Sequence, residues 1–152
     1  MLFRVTARCI IMRDSSVLVQ LSKHGDFYRL PGGRVRPEET LVQGLQRELR
    51  EELGLDRIDN PLLLYVVDSF YRRRNGIVHE LGFYFLCDGV DPGEVEPKES
   101  HLRVKWVKAS EITPDSFRPS VLAAYLKELL ASSGLKHYRA PIYLVNIDVG
   151  GD

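Results

Sequence analysis

The stretch from Gly33 to Leu55, GRVRPEETLVQGLQRELREELGL, constrains this 152-residue chain more than any other. A Gly-Gly turn follows Leu30-Pro31, and a helix is expected after Pro37, which suits a first helical turn. Glu38 and Glu39 suit the positive end of its dipole. Leu41, Val42, Leu45, Leu49 and Leu53 fall on one apolar stripe at helical spacing. Glu48, Glu51 and Glu52 share one face. With Glu48 as zero, Glu51 lies about 60° to one side and Glu52 about 40° to the other. That face overlaps the edge of the leucine stripe, whereas a merely solvated acidic face belongs opposite the core, with Gln43, Gln46, Arg47 and Arg50. Crowded carboxylates repel, and a hard divalent cation such as Mg²⁺ or Mn²⁺ removes the repulsion. Gly44, one turn before Glu48, costs a helix roughly 1 kcal/mol against Ala, so something is expected to approach the backbone there.

The order Gly33, five residues, Glu39, seven residues, Arg47-Glu48-Leu49, one residue, Glu51-Glu52, one residue, Gly54-Leu55 resembles the Nudix box, with every fixed position filled. The resemblance covers 23 residues of the chain. It implies an α/β fold, a mixed β-sheet sandwiched between helices, as a single domain over 1–152. It further implies a metal-dependent hydrolase that cleaves the pyrophosphate bond of a nucleoside diphosphate linked to another moiety. Glu51 and Glu52 are then the principal metal ligands, and Glu48 a further ligand or water-positioning group. The Gly33 carbonyl is a candidate ligand, and Glu39 and Arg47 form a structural ion pair. The general base is either a box glutamate or a glutamate in the acidic loop before the last core strand, with Glu99 the candidate and Glu96 and Glu94 behind it.

The remainder of the chain reads as strands around that helix. Residues 2–12 alternate, with Phe3, Val5, Ala7, Cys9 and Ile11 opposite Arg4, Thr6 and Arg8, which predicts a half-buried strand forming a hairpin with 17–21. Phe27–Leu30 is a short strand leading into the box. Runs 62–71 and 77–87 flank Arg72-Arg73-Arg74-Asn75-Gly76, a strong hairpin signal. Leu102, Val104 and Trp106 alternate, a helix is predicted from Pro119 to about Ala131, and 142–149 reads as a last short strand. Candidate substrate contacts are Arg29 and Tyr28, Phe70 and Tyr71, and His79 and Glu80. Arg29 can reach a phosphate, and an aromatic ring can stack on a base. The Arg72–Arg74 run is read as a charged hairpin tip.

Twenty-one basic and 21 acidic residues balance, so a general nucleic-acid or anionic-membrane binder is not expected. No run approaches the ~20 apolar residues of a membrane span, and the arginine-interrupted start has no signal-peptide core. Cys9 and Cys87 are expected as separate core thiols in a reducing, cytoplasmic compartment. A small-molecule nucleotide partner and a possible homodimer complete the reading. Two alternatives stand beside it: a non-catalytic nucleotide-sensing module and an RNA 5′-end pyrophosphohydrolase.

Overall fold

Nine strands and two α-helices follow one another in this computed structural model, which describes residues 1–87, 90, 95, 103–132 and 141–150. The strands are β1 (Leu2–Ile10), β2 (Met12–Arg13), β3 (Ser16–Leu21), β4 (Tyr28–Arg29), β5 (Gly32–Arg34), β6 (Leu62–Arg73), β7 (Gly76–Leu86), β8 (Val104–Lys108) and β9 (Ile142–Asp148). Helix α1 spans Leu41–Leu53 and α2 spans Leu122–Ala131.

The strands divide into two sheets. One has the order β5-β1-β7-β6-β9, with β1 parallel to β7 and β9 parallel to β6. The other joins β2, β3 and β4, with β8 antiparallel to β3. The sheets and helices form the mixed α/β fold that the sequence resemblance implies. Successive residues of β7 face opposite sides. Tyr84 and Leu86 pack with Leu122, Ala123 and Leu126 of α2, whereas Phe83, Phe85 and Cys87 pack with Leu45, Leu49 and Leu53 of α1. Each helix therefore closes one side of the five-stranded sheet.

Several boundaries differ from expectation. Residues 2–12 do not pair with 17–21 as one hairpin. β1 ends at Ile10, and only Met12 and Arg13 pair with β3. β1 is also buried on both faces from Thr6 to Ile10, because it lies inside the sheet between β5 and β7. α1 begins at Leu41, so Pro37, Glu38 and Glu39 precede the helix instead of forming its first turn. Its cap is Thr40, whose hydroxyl accepts from Gln43 N at 3.1 Å while Gln43 Oε1 accepts from Thr40 N at 2.8 Å. That capping box satisfies two otherwise orphaned donors and fixes the helix start. Val42 is exposed, at the margin of the apolar stripe. Gly54 ends the helix at φ 70°, the left-handed cap that glycine adopts without penalty. α2 starts at Leu122, three residues later than expected.

The two cysteines require the largest correction. Parallel pairing of β1 with β7 brings Cys9 and Cys87 together across 78 residues, with Cα atoms 5.9 Å apart and the sulfurs joined in a disulfide. Nothing local in the sequence reports a parallel pairing between such distant strands. No helix among the described residues is long and apolar enough to cross a membrane.

Candidate active site

Gly32 sets the approach of the site to the sheet. Its φ is 133°, and a Cβ there would stand 2.2 Å from the Ala7 carbonyl oxygen, so only glycine allows β5 to lie against β1. The Gly32 amide donates to Glu52 Oε2 at 3.4 Å, and the Gln20 amide donates a short hydrogen bond to the same oxygen. Glu52 is thus held at the junction of α1, β3 and β5, and it is 9% exposed.

Glu48 lies one turn earlier. Its carboxylate sits beside Gly33 and beside Glu52, with Oε1 accepting from Arg47 Nη1 at 3.1 Å. Burial first, and then the neighbouring Glu48, push the Glu52 carboxyl up to about 8. Glu51 is turned outward, its side chain 49% exposed and 3.4 Å from Arg47 Nη1. Arg47 also donates from Nε to both Glu39 oxygens, at 3.0 and 3.1 Å, and from Nη2 to the Arg34 carbonyl at 2.9 Å. Burial opposes its charge, but the hydrogen bonds to Glu39 and Glu48 prevail and raise its pKa. Arg47 therefore braces the loop, Glu39 and two of the box glutamates at once. Gly44 has a local explanation: a Cβ there would meet Val35 Cγ2 at 3.1 Å and Glu39 Oε2 at 3.2 Å.

Among the described residues, no three acidic, histidine or cysteine side chains converge closely enough to enclose a cation as they stand. The donor set nevertheless fits one. Glu48 and Glu52 are adjacent carboxylates, one of them buried and kept from ionising, and a divalent charge between them offsets both burial and repulsion. Glu51 shares Arg47 Nη1 with Glu48 and is the most exposed of the three. Glu99, Glu96 and Glu94 lie outside the described residues.

A cleft of about 280 Å³ opens on the α2 side of the five-stranded sheet, and Glu48, Glu51 and Glu52 are not among its lining residues. Arg4 and Arg8 of β1 and Arg29 of β4 line it, and Arg72 and Arg73 of the β6–β7 hairpin reach it. Arg8 joins the two halves of the site. Its Nη1 donates to the Leu30 carbonyl at 2.8 Å and lies 3.4 Å from that of Gly32, and its charge acts on both Glu52 and Arg29. The Arg29 guanidinium stands over the Phe27 ring, 5.3 Å from its centroid, and donates no hydrogen bond among the described residues; burial, then the charges of Arg8 and Arg73, lower its pKa. A cation so placed is relieved by an anionic ligand.

The candidate substrate residues separate by strand parity. Arg29, Tyr71 and Glu80 line the cleft. Glu80 is held at 2.7 Å by Arg4 Nε, and Arg4 also donates to the Tyr71 hydroxyl. Burial, then Glu80, raise the Tyr71 pKa. Phe70 and His79 are on the opposite face, where their rings stack on one another, and neither lines the cleft. Tyr28 packs against the core between the sheets and does not line the cleft.

Sequence reading missed Arg4, Arg8, Gln20 and Asn146. The first two were visible as the polar side of β1, read as solvent-facing, yet that side forms the cleft floor. Asn146 of β9 also lines the cleft, its Oδ1 accepting from Ser120 Oγ and Val121 N, both at 3.1 Å. The Arg72–Arg74 run is more than a charged tip, because two of its three members reach the cleft.

An RNA pyrophosphohydrolase of Legionella pneumophila (strain Corby) is 27% identical over 110 residues, which are 72% of this chain and 59% of that protein. The chain thus spans about three fifths of the length of that relative. An 8-oxo-dGTP diphosphatase of Proteus vulgaris is 43% identical over 49 residues, 32% of this chain and 44% of that protein. The crystal structure of a MutT NUDIX hydrolase from Burkholderia pseudomallei superposes with a TM-score of 0.68 at 25% identity, covering 83% of this chain and 98% of that one. The model of the NUDIX domain matches residues 2–128, from the start of β1 into α2, and the chain belongs to the NUDIX family.

Proposed function

We propose that this chain is a diphosphohydrolase that cleaves a phosphoanhydride bond in a nucleoside diphosphate linked to a further moiety. The observation that carries this reading is Arg8, which lines the arginine-rich cleft and whose charge also acts on Glu52, the buried member of the Glu48–Glu52 pair. Carboxylates alone repel a phosphate, and arginines alone bind one without reacting. The two sets, linked through Arg8, suit a diphosphate held across a cation.

Glu48 and Glu52, with the Gly33 carbonyl and Glu51 as further candidates, are the residues that hold Mg²⁺ or Mn²⁺. Such a cation neutralises diphosphate charge and makes water a better nucleophile at neutral pH. Arg29, Arg8 and Arg73 bind and orient the phosphates. Tyr71 and Phe27 give the cleft an aromatic wall for the nucleoside, each ring flanked by arginines, Arg4 and Arg73 at Tyr71 and Arg29 and Arg118 at Phe27. Arg47 fixes the orientation of Glu48 through the Glu39 pair. Proton removal from the attacking water falls to Glu48 or Glu99.

A specific observation also favours an RNA 5′-end substrate: Arg72 and Arg73 extend the basic lining along the hairpin, and a relative is named an RNA pyrophosphohydrolase. A cleft of about 280 Å³ holds little more than one nucleotide, so only the terminal residue of an RNA would enter it.

The test is a panel containing ADP-ribose, nucleotide sugars, dinucleoside polyphosphates, nucleoside triphosphates and 5′-triphosphorylated RNA, each with Mg²⁺ or Mn²⁺. Released products are resolved by anion exchange, with Glu52→Gln as the control. Turnover of at least one substrate that Glu52→Gln abolishes is expected. Binding without turnover across the panel replaces the hydrolase by a nucleotide-sensing module.

A further inference from the structure

The face of the five-stranded sheet that turns away from the cleft is only partly covered. α1 packs over Ala7, Cys9 and Phe85. Beyond the helix, the register sets Phe3, His79, Phe70 and Ile147 in one row across β1, β7, β6 and β9. Val5, Leu81, Asp68 and Val145 form the next row. At ordinary strand spacing each row is about 15 Å long. Phe3 is 56% exposed, Tyr143 60%, Val145 47% and Ile147 70%. Single exposed apolar residues are unremarked on any surface, but adjacent ones in register mark a contact site.

The polar groups within this surface are already paired. His79 Nε2 lies 2.5 Å from Asp68 Oδ1, and the Tyr143 hydroxyl donates to Asp68 Oδ2 at 2.9 Å. The His79 ring stacks on Phe70, centroids 4.1 Å apart, and meets Phe3 edge-on at 4.9 Å. Neither row contains a lysine or arginine. The surface therefore presents apolar area with no unpaired charge, which suits another apolar surface and neither a phosphate nor a nucleic acid.

We infer that this face is where two copies of the chain pack against one another, sheet on sheet about a two-fold axis. An isologous contact must match itself, and rows of aromatic and β-branched side chains without unpaired charge do so. An exposed aromatic side chain contributes on the order of 100 Å² of its roughly 150–250 Å². With Val145 and Ile147 added, each copy supplies roughly 500 Å², and the pair reaches the ~1,000 Å² that a specific interface needs. β9 adds a second indication. It stands at the end of the sheet order and supplies Tyr143, Val145 and Ile147, three of the exposed apolar side chains of this face. It also lies beyond residue 128, where the family match ends. The cleft opens on the other side of the sheet, so dimerisation leaves it accessible.

Sedimentation velocity of the full chain from 1 to 200 µM tests this, alongside Ile147→Asp and, as a second variant, Val145→Lys. A dimeric mass is expected for the wild type. Both variants should raise the dimer dissociation constant at least a hundredfold while leaving the far-ultraviolet spectrum unchanged, since both positions are exposed. A wild type that sediments as a monomer throughout overturns the inference. So does a dimer that persists in both folded variants, because it must use another surface. If Ile147→Asp fails to fold, Val145→Lys decides alone.

Discussion

The carboxylate of Glu48 occupies the space in which a side chain on residue 33 would begin: an ideal Cβ on Gly33 would lie 2.6 Å from Glu48 Cδ and 2.8 Å from both of its oxygens. The glycine of the loop and the glutamate of the helix are therefore one feature, a carboxylate laid directly on bare backbone. Gly33→Ala should move that carboxylate rather than the loop, because a glutamate side chain yields more easily than a paired strand. The expected result is a fall in kcat of at least tenfold, a right-shifted metal activation curve, and a melting temperature within a few degrees of wild type. Unchanged metal activation in the variant would show that the position of Glu48 does not matter to the cation.

Glu52 gives a pH dependence whose sign follows from its burial. In the metal-free protein its carboxyl is pushed up to about 8 from an ordinary 4.5, by desolvation and then by Glu48. Between those values the unfolded chain has released this proton and the folded chain still holds it. Stability must then fall as pH rises through that window, by at most about 5 kcal/mol in full. In a chelator, the melting temperature should drop from pH 5 to pH 9, and Glu52→Gln should flatten the drop. Excess Mg²⁺ at pH 9 should restore the wild type and leave the variant unmoved. A wild type whose melting curve is level across this range in chelator contradicts the buried, crowded placement of Glu52.

How much of this was legible in the sequence depends on the distance over which each feature is determined. The helix and its acidic face lie within 23 residues, and the periodicity of one helix suffices to place them; the Glu39–Arg47 pair is implied by the resemblance alone, since Glu39 precedes the helix. The opposition of His79 to Glu80, and of Phe70 to Tyr71, was equally local, since parity along a strand separates them. Which parity faces the cleft was not, because that depends on where α1 and α2 settle on the sheet. Arg8 and Gln20 come from strands that reach Glu52 only through tertiary pairing. The same holds for Cys9 and Cys87, which a parallel β1–β7 pairing unites. Alternation cannot report a partner 78 residues away.

Glu48 and Glu99 are the two candidates for the general base. Glu48 is held by Arg47 and lies against Glu52, so its removal should disturb the cation as well as proton transfer. A base that does not ligate should lower kcat without shifting the metal activation curve, and loss of a general base typically costs about 10²–10⁴-fold. Glu99→Gln is expected to lower kcat at least tenfold, with unchanged metal activation and loss of the acidic limb of the pH–rate profile. Wild-type kcat in that variant returns the role to Glu48.

The arginine run of the β6–β7 hairpin makes the sharpest division between adjacent residues. Arg72 and Arg73 line the cleft, whereas Arg74 occupies the two-residue turn with Asn75 and does not. Arg73 stands over the Tyr71 ring, 5.8 Å from its centroid, and its charge acts on Arg29. Arg72 leans toward the Val149 carbonyl at 3.4 Å, a weak contact that a phosphate displaces readily. If the hairpin contributes to phosphate binding, position must matter and not merely total charge. Replacing Arg72 and Arg73 together with serine should lower kcat/KM about a hundredfold, near 2.7 kcal/mol, mostly through KM. Arg74→Ser, which removes a like charge from the same hairpin, should stay within about threefold. Raising ionic strength should weaken the wild type more than the double variant, because fewer cations then remain to be screened. Equal losses per arginine in the two variants would reduce the hairpin to a general electrostatic attractor. A double variant with wild-type kcat/KM would remove it from the site.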